Sequence, residues 1–271
     1  MCPAVVETRA ILAPAGKLRA GVFPGSPLSM ARDSKTGEIH GLAVDLGKEL
    51  AKRLDVAFEP VSFQRIAEVI EAMKAGDVDF TISNATPARA VHVAFSQTLI
   101  SLELGYLVSA ASPIAAISDA GEPGLRIGVT QGSTSQGTIP KLLPDAAVVP
   151  AGNSKSAIEM LALGEIDLFA TNKPTLFEMA DRMPGSRVLD GRWGIEHIAI
   201  AIPKGREAAM EYLRRFVAEA QAGGLLAEAV ERAGLRGIAK RNKLLIGTIR
   251  NTSADLLSAF MLMCGLLNPA P

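Results

Sequence analysis

Arg89 and the residues around it form a pattern suited to holding an anion. In Thr86-Pro87-Ala88-Arg89, Thr86 is suited to cap a helix, Pro87 fits its first position, and Arg89 falls in its first turn. A cation in a first turn works against the helix dipole, and a carboxylate held by two hydrogen bonds would explain its placement. The alternative is an exposed arginine lying over the surface.

A second anion-binding pattern is Gly132-Ser133-Thr134. It follows an apolar strand and opens a helix, so backbone N–H groups and two hydroxyls can converge on one anionic oxygen. The alternative is an ordinary serine N-cap with no ligand.

Other polar residues could complete a site. Asn84 and Asn172 end matching apolar segments, and each offers a donor and an acceptor, although both could instead be turn residues that satisfy their own backbone. Trp193, Glu196 and His197 lie close together in sequence, which would suit proton transfer or an aromatic wall. A glutamate beside a histidine is more often a structural pair. The familiar hydrolase, zinc and phosphate-loop motifs do not occur, so we predict no catalytic residue, metal or cofactor.

The elements that position these residues come in two copies. The pattern L-R-x-G-V-x-x-G-S occurs at 18–26 and again at 125–133. A second pattern, an acidic turn running into an apolar segment that ends in Asn, occurs at 76–84 and again at 164–172. The repeat predicts two similar α/β lobes, and the alternation of strands and helices predicts mainly parallel sheets flanked by helices. Polar turns at the carboxyl ends of those strands should face one cleft.

Two long alternating segments are predicted to join the lobes as hinge strands, near 101–108 and 197–203. The first lobe is then expected to comprise residues 1–104 plus 202–271, and the second residues 105–201. Two helices are predicted after the second hinge strand, at 207–222 and 225–233, packed on the first lobe. The segment 239–271 receives no role.

Composition limits the partner. The chain has 271 residues, 28 basic and 28 acidic, and a formal net charge of zero, so we predict a small solute rather than nucleic acid or an anionic membrane. Cys2 and Cys264 lack metal-type spacing. Residues 1–18 show no intact signal peptide, and the longest apolar stretch, 254–267, is shorter than the ~20 residues that span a bilayer, which favours a packing helix.

The motifs together resemble the extracellular solute-binding proteins of family 3, the polar amino-acid type that serve ABC importers. The similarity covers roughly residues 17–237. It rests on five ordered segments: Gly41-Leu42-Ala43-Val44-Asp45-Leu46, Thr86-Pro87-Ala88-Arg89, Phe95-Ser96, Val129-Thr130-Gln131-Gly132-Ser133-Thr134 and Lys204-Gly205. The resemblance implies a periplasmic-binding-protein-like fold with two lobes and a periplasmic location.

The resemblance also implies roles for individual residues. Arg89 would bind the ligand carboxylate, Ser133 and Thr134 would complete that site from the other lobe, and Asn84 would contact the ligand. Phe23 is the nearest aromatic that could cover it. Leu42 stands where the family usually has an aromatic.

Asn172 stands where amino-acid binders usually carry the Asp that pairs with the ligand ammonium. A buried ammonium without a carboxylate partner is costly, so an ordinary amino acid would require Glu196 to supply the charge. The predicted ligand is therefore a small carboxylate or an amino acid.

The resulting hypothesis is a solute-binding protein whose lobes close over its ligand and deliver it to a membrane permease. One alternative is an enzyme similar to cyclohexadienyl dehydratases on the same scaffold, with Glu196 or His197 as proton donor. Another is a sensory or receptor-coupled binding module, suggested by the segment after Gly237.

Overall fold

The structure is a computed structural model and describes residues 3–32 and 36–239. Both cysteines, the apolar stretch 254–267 and the segment from residue 240 onward lie outside the described residues, so the interpretations placed on them stay predictions. No helix among the described residues is long and apolar enough to cross a membrane.

The first part of the chain alternates strands and helices before a long strand. Its elements are α1 (Pro3–Leu12), β1 (Lys17–Val22), β2 (Ala31–Arg32), β3 (Ile39–His40), α2 (Leu42–Leu54), β4 (Ala57–Ser62), α3 (Ile66–Ala75), β5 (Thr81–Asn84), α4 (Pro87–Ala90) and β6 (Val93–Val108). Leu46, Leu50 and Leu54 lie on the buried face of α2, as their spacing predicts. α3 ends at Gly76, which adopts the left-handed conformation of a helix C-terminus.

The second part of the chain repeats this order of strands and helices, and its last elements then pack against the first part. Its elements are β7 (Arg126–Thr130), α5 (Thr134–Leu142), β8 (Ala147–Ala151), α6 (Ser154–Ala162), β9 (Leu168–Asn172), α7 (Lys173–Asp181), β10 (Arg187–Val188), β11 (Gly194–Pro203), α8 (Met210–Ala222) and α9 (Leu225–Arg232). Short 3₁₀ turns lie at Ile117–Gly121 and Glu207–Ala209. The fold class is α/β, as predicted, and the sheets are flanked by helices.

The sheets are parallel within the lobes and antiparallel where the long strands join them. β1 pairs with β4, and β7 with β8 and β9, all in parallel. The long strands β6 and β11 pair with each other in antiparallel fashion, β11 also pairs with β5, and β6 with β9. The larger sheet therefore runs in the order β5-β11-β6-β9-β7-β8.

Separate groups of buried side chains form the core. One is built around β1, α2, β11 and α8 and includes Leu18, Leu46, Ile200 and Phe216. Another is built around β7 and β9 and includes Ile127 and Leu168. The lobe boundaries proposed from the sequence stay a prediction.

The sequence repeat has a physical basis in both lobes. In the first, Arg19 Nε and Nη2 donate to the two carboxylate oxygens of Asp79, each at 2.8 Å. In the second, Arg126 Nε and Nη2 donate to Asp167 at 3.1 and 2.7 Å. The repeated Arg and Asp thus tie the start of one strand to the start of its neighbour.

The repeated glycines at the middle of β1 and β7 are needed for close packing. A Cβ on Gly21 would lie 2.5 Å from Val69, and one on Gly128 would lie 2.3 Å from Ile166. Helix or turn side chains therefore pack directly on the strand backbone at both positions.

Some elements were not predicted. These are α1, the β2–β3 pair, β10 and the first half of β6, from Val93 to about residue 100. β6 begins early because Val93, Ala94 and Phe95 already pair with β11, a partner about a hundred residues away that local periodicity does not reveal.

Candidate functional site

A cavity of ≈ 90 Å³ lies between the two lobes, at the carboxyl ends of their strands. Its lining combines polar side chains from both lobes with a few apolar ones, including Leu28, Ile66, Ile82 and Ile198. All of the residues predicted to bind the ligand line it except Gly132: Phe23, Asn84, Arg89, Ser133, Thr134, Asn172 and Glu196.

Arg89 reaches the cavity from the short helix α4. Thr86 caps this helix, and its hydroxyl accepts the Arg89 backbone N–H at 3.3 Å. Arg89 Nη1 donates to Ser83 Oγ at 2.7 Å and to the Asn84 carbonyl at 3.5 Å. Within the described part of the chain, the guanidinium has no ion pair. Burial lowers the pKa of Arg89, and the attraction of Glu196 offsets part of that effect. Unused donors of a desolvated guanidinium suit an anionic ligand.

Glu196 brings a buried carboxylate into the same cavity from β11. Its Oε1 accepts from Thr134 Oγ1 at 2.8 Å and from Asn84 Nδ2 at 3.2 Å. Its Oε2 accepts from Asn172 Nδ2 at 3.2 Å. A carboxylate offers about four acceptor positions, so Oε2 can take a further donor.

The two asparagines are both structural residues and cavity residues. Asn172 caps α7, because its Oδ1 accepts the Thr175 N–H at 3.2 Å, while its Nδ2 holds Glu196. Asn84 Oδ1 accepts the His197 N–H at 3.2 Å, and its Nδ2 reaches Glu196. Each amide thus orients the carboxylate.

The turn before α5 contributes hydroxyls and backbone groups. Ser133 is the N-cap, with its Oγ accepting the Gln136 N–H at 3.4 Å. The Gly132 N–H donates to Gln136 Oε1 at 2.6 Å. Gly132 therefore shapes the turn. Thr134 and Ser135 line the cavity, and their backbone N–H groups have no hydrogen-bond partner in the described part of the chain.

The three residues near the second hinge do not act together. Adjacent side chains on a strand point to opposite faces, so Glu196 lies in the cavity while His197 is exposed and contacts Ser101 Oγ at 3.1 Å. Trp193 stacks on Tyr106 and donates to the Gly105 carbonyl at 2.8 Å. Trp193 and His197 thus have structural partners.

Of the remaining expectations, Phe23 lines the cavity, and its backbone N–H is held by Ser29 Oγ at 2.8 Å. Leu42, noted as a departure from the family pattern, is fully buried in the core instead. Among the described residues, no group of three or more His, Cys, Asp or Glu could hold a metal ion.

Several lining residues were not predicted. Gln64 and Arg65 precede α3, and Asn153 and Ser154 lie at the start of α6. These loops follow β4 and β8, the parallel partners of β1 and β7. The rule that ligands bind at the carboxyl ends of parallel strands, applied to all four strands, would have found them. Ser26 also lines the cavity, and the sequence repeat would have found it because it aligns Ser26 with Ser133.

The lobes also touch each other around the cavity. Ser154 Oγ of the second lobe donates to the Gly25 carbonyl of the first at 3.3 Å. In the opposite direction, a Cβ on Gly132 would lie 2.5 Å from the Ala67 side chain on α3. The repeated Gly-Ser turn of each lobe thus packs against the helix start of the other.

A two-lobed α/β fold with a charged cavity between lobes joined by paired long strands is the arrangement of proteins that close over a solute bound between their lobes. Residues 18–234 match the family described as bacterial extracellular solute-binding proteins, family 3. The chain belongs to this family, which confirms the resemblance noted in the sequence.

Individual proteins agree with this assignment. The ABC transporter glutamine-binding protein GlnH of Bacillus subtilis is 26% identical over 206 residues, which cover 74% of this chain and 75% of that protein. The glutamine-binding protein of Geobacillus stearothermophilus is 28% identical over 193 residues, covering 70% and 73% respectively. A crystal structure of a variant of ArgBP from T. maritima aligns with a TM-score of 0.74 at 22% identity, over 85% of this chain and 99% of that one.

Family membership decides between the binding-protein hypothesis and the enzyme alternative, and it leaves the sensory or receptor-coupled alternative untested. The family consists of solute-binding proteins, and both relatives are named as binding proteins. The protein is therefore a solute-binding protein rather than an enzyme, and the dehydratase alternative is not adopted.

Proposed function

We propose that this protein captures an α-amino acid between its lobes and delivers it to the membrane permease of an ABC importer, working in the periplasm. The observation that carries the ligand class is the pair of opposite charges in one cavity, Arg89 and Glu196. An α-amino acid carries its carboxylate and its ammonium on the same carbon atom, and this cavity offers one partner for each.

Arg89 is the partner for the α-carboxylate. Its Nη1 donates to Ser83 and to the Asn84 carbonyl, and its other donors have no partner among the described residues. The N–H groups at the start of α5, from the other lobe, would complete the oxyanion contacts and benefit from the helix dipole. Because these donors come from different lobes, only the closed form brings them together, and ligand binding favours closure.

Glu196 is the partner for the α-ammonium. Asn172 occupies the position of the usual Asp, and its amide donates to Glu196 rather than replacing it. In this chain the negative charge lies on β11 and not at the N-cap of α7, with Glu196 Oε2 at 3.2 Å from Asn172 Nδ2. A carboxylate at this position would answer the objection that Asn172 raises against an amino-acid ligand.

The relatives support the importer role. GlnH is named as a component of an ABC transporter, and the family is described as extracellular. Delivery to a permease and a periplasmic location are inferred for this chain from that likeness.

A thermal-shift panel tests the ligand class. Each amino acid is paired with its deaminated 2-oxo and 2-hydroxy acid, and short dicarboxylates are added. A ligand at a hundred times its dissociation constant stabilises by about 2.7 kcal/mol, which shifts the melting temperature measurably. We expect an amino acid to shift the melt and its deaminated partners not to. The opposite pattern would refute the ammonium contact and leave a carboxylate binder.

The substitution Glu196→Gln tests the same contact directly. The matched control is Glu165→Gln, which makes the same isosteric change at an exposed position outside the cavity. We expect Glu196→Gln to weaken amino-acid binding about tenfold or more, because a charge-assisted hydrogen bond contributes about 1.5–3 kcal/mol. Binding that is equal in the two variants would assign the ammonium to another partner.

A further inference from the structure

Arg65 places a second guanidinium at the cavity, and its local structure does not explain why. It is the N-cap of α3, with an extended backbone and no side-chain capping bond. Serine, threonine, aspartate and asparagine are favoured at an N-cap, and a positive charge there is opposed by the helix dipole. Gln64 and Arg65 precede α3, and one of the favoured N-cap residues at position 65 would stabilise the helix more.

The contacts of Arg65 leave most of its donors unused. Arg65 Nη2 lies 3.2 Å from Glu68 Oε1, and the two side chains are 28% and 35% exposed. Such i, i+3 pairs at a surface contribute little to stability. No other partner of this guanidinium occurs in the described part of the chain, and a guanidinium carries five N–H donors.

Once the α-groups are assigned, one charged residue of the cavity lining remains, and its ion-pair partner Glu68 lies outside that lining. The charged lining residues of the cavity among those described are Arg65, Arg89 and Glu196. If Arg89 binds the α-carboxylate and Glu196 the α-ammonium, Arg65 is left to face the ligand side chain. The polar residues Gln64, Asn153 and Ser154 lie in the same lining and carry no charge.

A basic ligand side chain would meet an unfavourable environment here. Its charge would face Arg65, and no second acidic residue lines the described cavity to pair with it. Burying an unpaired cation is costly, and like charges repel. A carboxylate or carboxamide oxygen would instead accept hydrogen bonds from Arg65.

We propose that the ligand is an α-amino acid whose side chain ends in an oxygen acceptor, a carboxylate or a carboxamide, and that Arg65 is the residue that selects it. This inference rests on the proposed function, because it assumes that Arg89 and Glu196 hold the two α-groups.

Isothermal titration of the full chain tests the selection. The probes are glutamate, glutamine, aspartate and asparagine against arginine and lysine, with norvaline as an apolar side chain of similar length. We expect the tightest of the four acceptor-ended amino acids to bind at least about tenfold more tightly than arginine or lysine. Comparing glutamate with glutamine then separates a carboxylate from a carboxamide. Tighter binding of arginine or lysine overturns the inference.

The variant Arg65→Met tests the residue, with Arg214→Met as its matched control. Arg214 also forms an i, i+3 pair with a glutamate, Glu211, but lies outside the cavity lining. We expect Arg65→Met to reduce the ratio of acceptor-ended to norvaline affinity about tenfold, and Arg214→Met to leave it unchanged. Melting temperatures of both variants verify folding. An unchanged ratio in folded Arg65→Met overturns the role of Arg65.

Charge reversal separates this inference from the proposed function. Arg65→Glu is expected to shift selectivity toward arginine and lysine. If the unmodified protein binds arginine best, the proposed function stands and this inference falls. If no amino acid binds, both fall.

Discussion

Arg89 and Glu196 illustrate how single residues acquire their roles from surroundings that lie far away in sequence. Arg89 was recognisable from its motif, because a cation in a first helical turn requires a partner. Glu196 was not recognisable in the same way, since a Glu-His pair has a common structural explanation. Only the pairing of β11 with β5 and β6 shows that Glu196 faces the cavity and His197 faces away from it.

Removing Arg89 should abolish binding without unfolding the protein. In Arg89→Ala the proposed partner of the ligand carboxylate is lost, so the affinity should fall about a hundredfold or more. The apo melting temperature should change little, because the guanidinium forms no ion pair with the described residues. Titration and thermal melting measure both quantities, with Arg182→Ala, which changes an exposed arginine at the C-cap of α7, as control. Normal binding by Arg89→Ala would remove this residue from the site.

At the scale of elements, the repeat makes each lobe a copy of the other, and the copies contact each other in reciprocal fashion. The Gly-Ser turn after β1 packs on α6, and the turn after β7 packs on α3. These turns also border the cavity, so closure and ligand contact depend on the same short segments.

The turn after β7 allows a test of closure. Gly132 has a φ of 72°, and a Cβ there would lie 2.5 Å from Ala67. Gly132→Ala should therefore hinder closure and weaken ligand affinity about tenfold or more, since overpacking costs about 1–3 kcal/mol. Gly124→Ala imposes similar strain, at a φ of 81° with nothing within 4 Å, and should leave affinity unchanged.

A second substitution separates the clash across the cleft from distortion of the turn itself. Ala67→Gly removes the opposing methyl group, so the double variant Gly132→Ala with Ala67→Gly should recover much of the lost affinity. Titration of the single and double variants measures the recovery. No recovery would assign the effect to the turn and not to closure.

The repeated Arg–Asp pairs should differ in their contribution to stability. The Asp79 side chain is 0% exposed and is also bound by Arg206, whereas that of Asp167 is 29% exposed. Burial raises the pKa of Asp79, but the hydrogen bonds from Arg19 and Arg206 outweigh it and hold the pKa below its usual range. Breaking a buried pair costs about 3–5 kcal/mol, so Asp79→Asn should destabilise the protein more than Asp167→Asn.

Acid denaturation tests the contribution of the ion pairs of Asp79. A carboxylate whose pKa is lower in the folded protein stabilises it fully above the unfolded value, about 3.9, and that stabilisation is lost as the pH falls through the folded value. The free energy of unfolding of Asp79→Asn should therefore depend less on pH below about 4 than that of the unmodified protein. Two results would contradict the larger contribution of the Asp79 pair. One is an equal loss of stability in Asp79→Asn and Asp167→Asn, and the other is an unchanged pH dependence of unfolding in Asp79→Asn.

At the scale of the whole molecule, the cavity draws its lining from one part of the chain. All of its described lining residues lie between Phe23 and Ile198. A chain ending at residue 239 should accordingly bind the ligand with the affinity of the full chain, within about twofold. Parallel titrations of the two proteins measure this. A marked loss on truncation would favour the receptor-coupled alternative, in which the segment after Gly237 takes part in function.

The sequence by itself determined the two similar lobes, the α/β class, the long connecting strands and most of the polar residues of the site. These are local properties, because periodicity, caps and repeated motifs act over short stretches of chain. Arg89, Ser133 and Thr134 belong to this group.

The tertiary structure alone decided which of these residues meet. It brought Glu196 to Asn84, Thr134 and Asn172, placed Arg65 at the cavity and turned Trp193 and His197 away. The physical reason is that a side chain on a strand can face either side, and the pairing with distant strands decides which. The charge balance of the cavity, on which the proposed ligand rests, follows from that pairing.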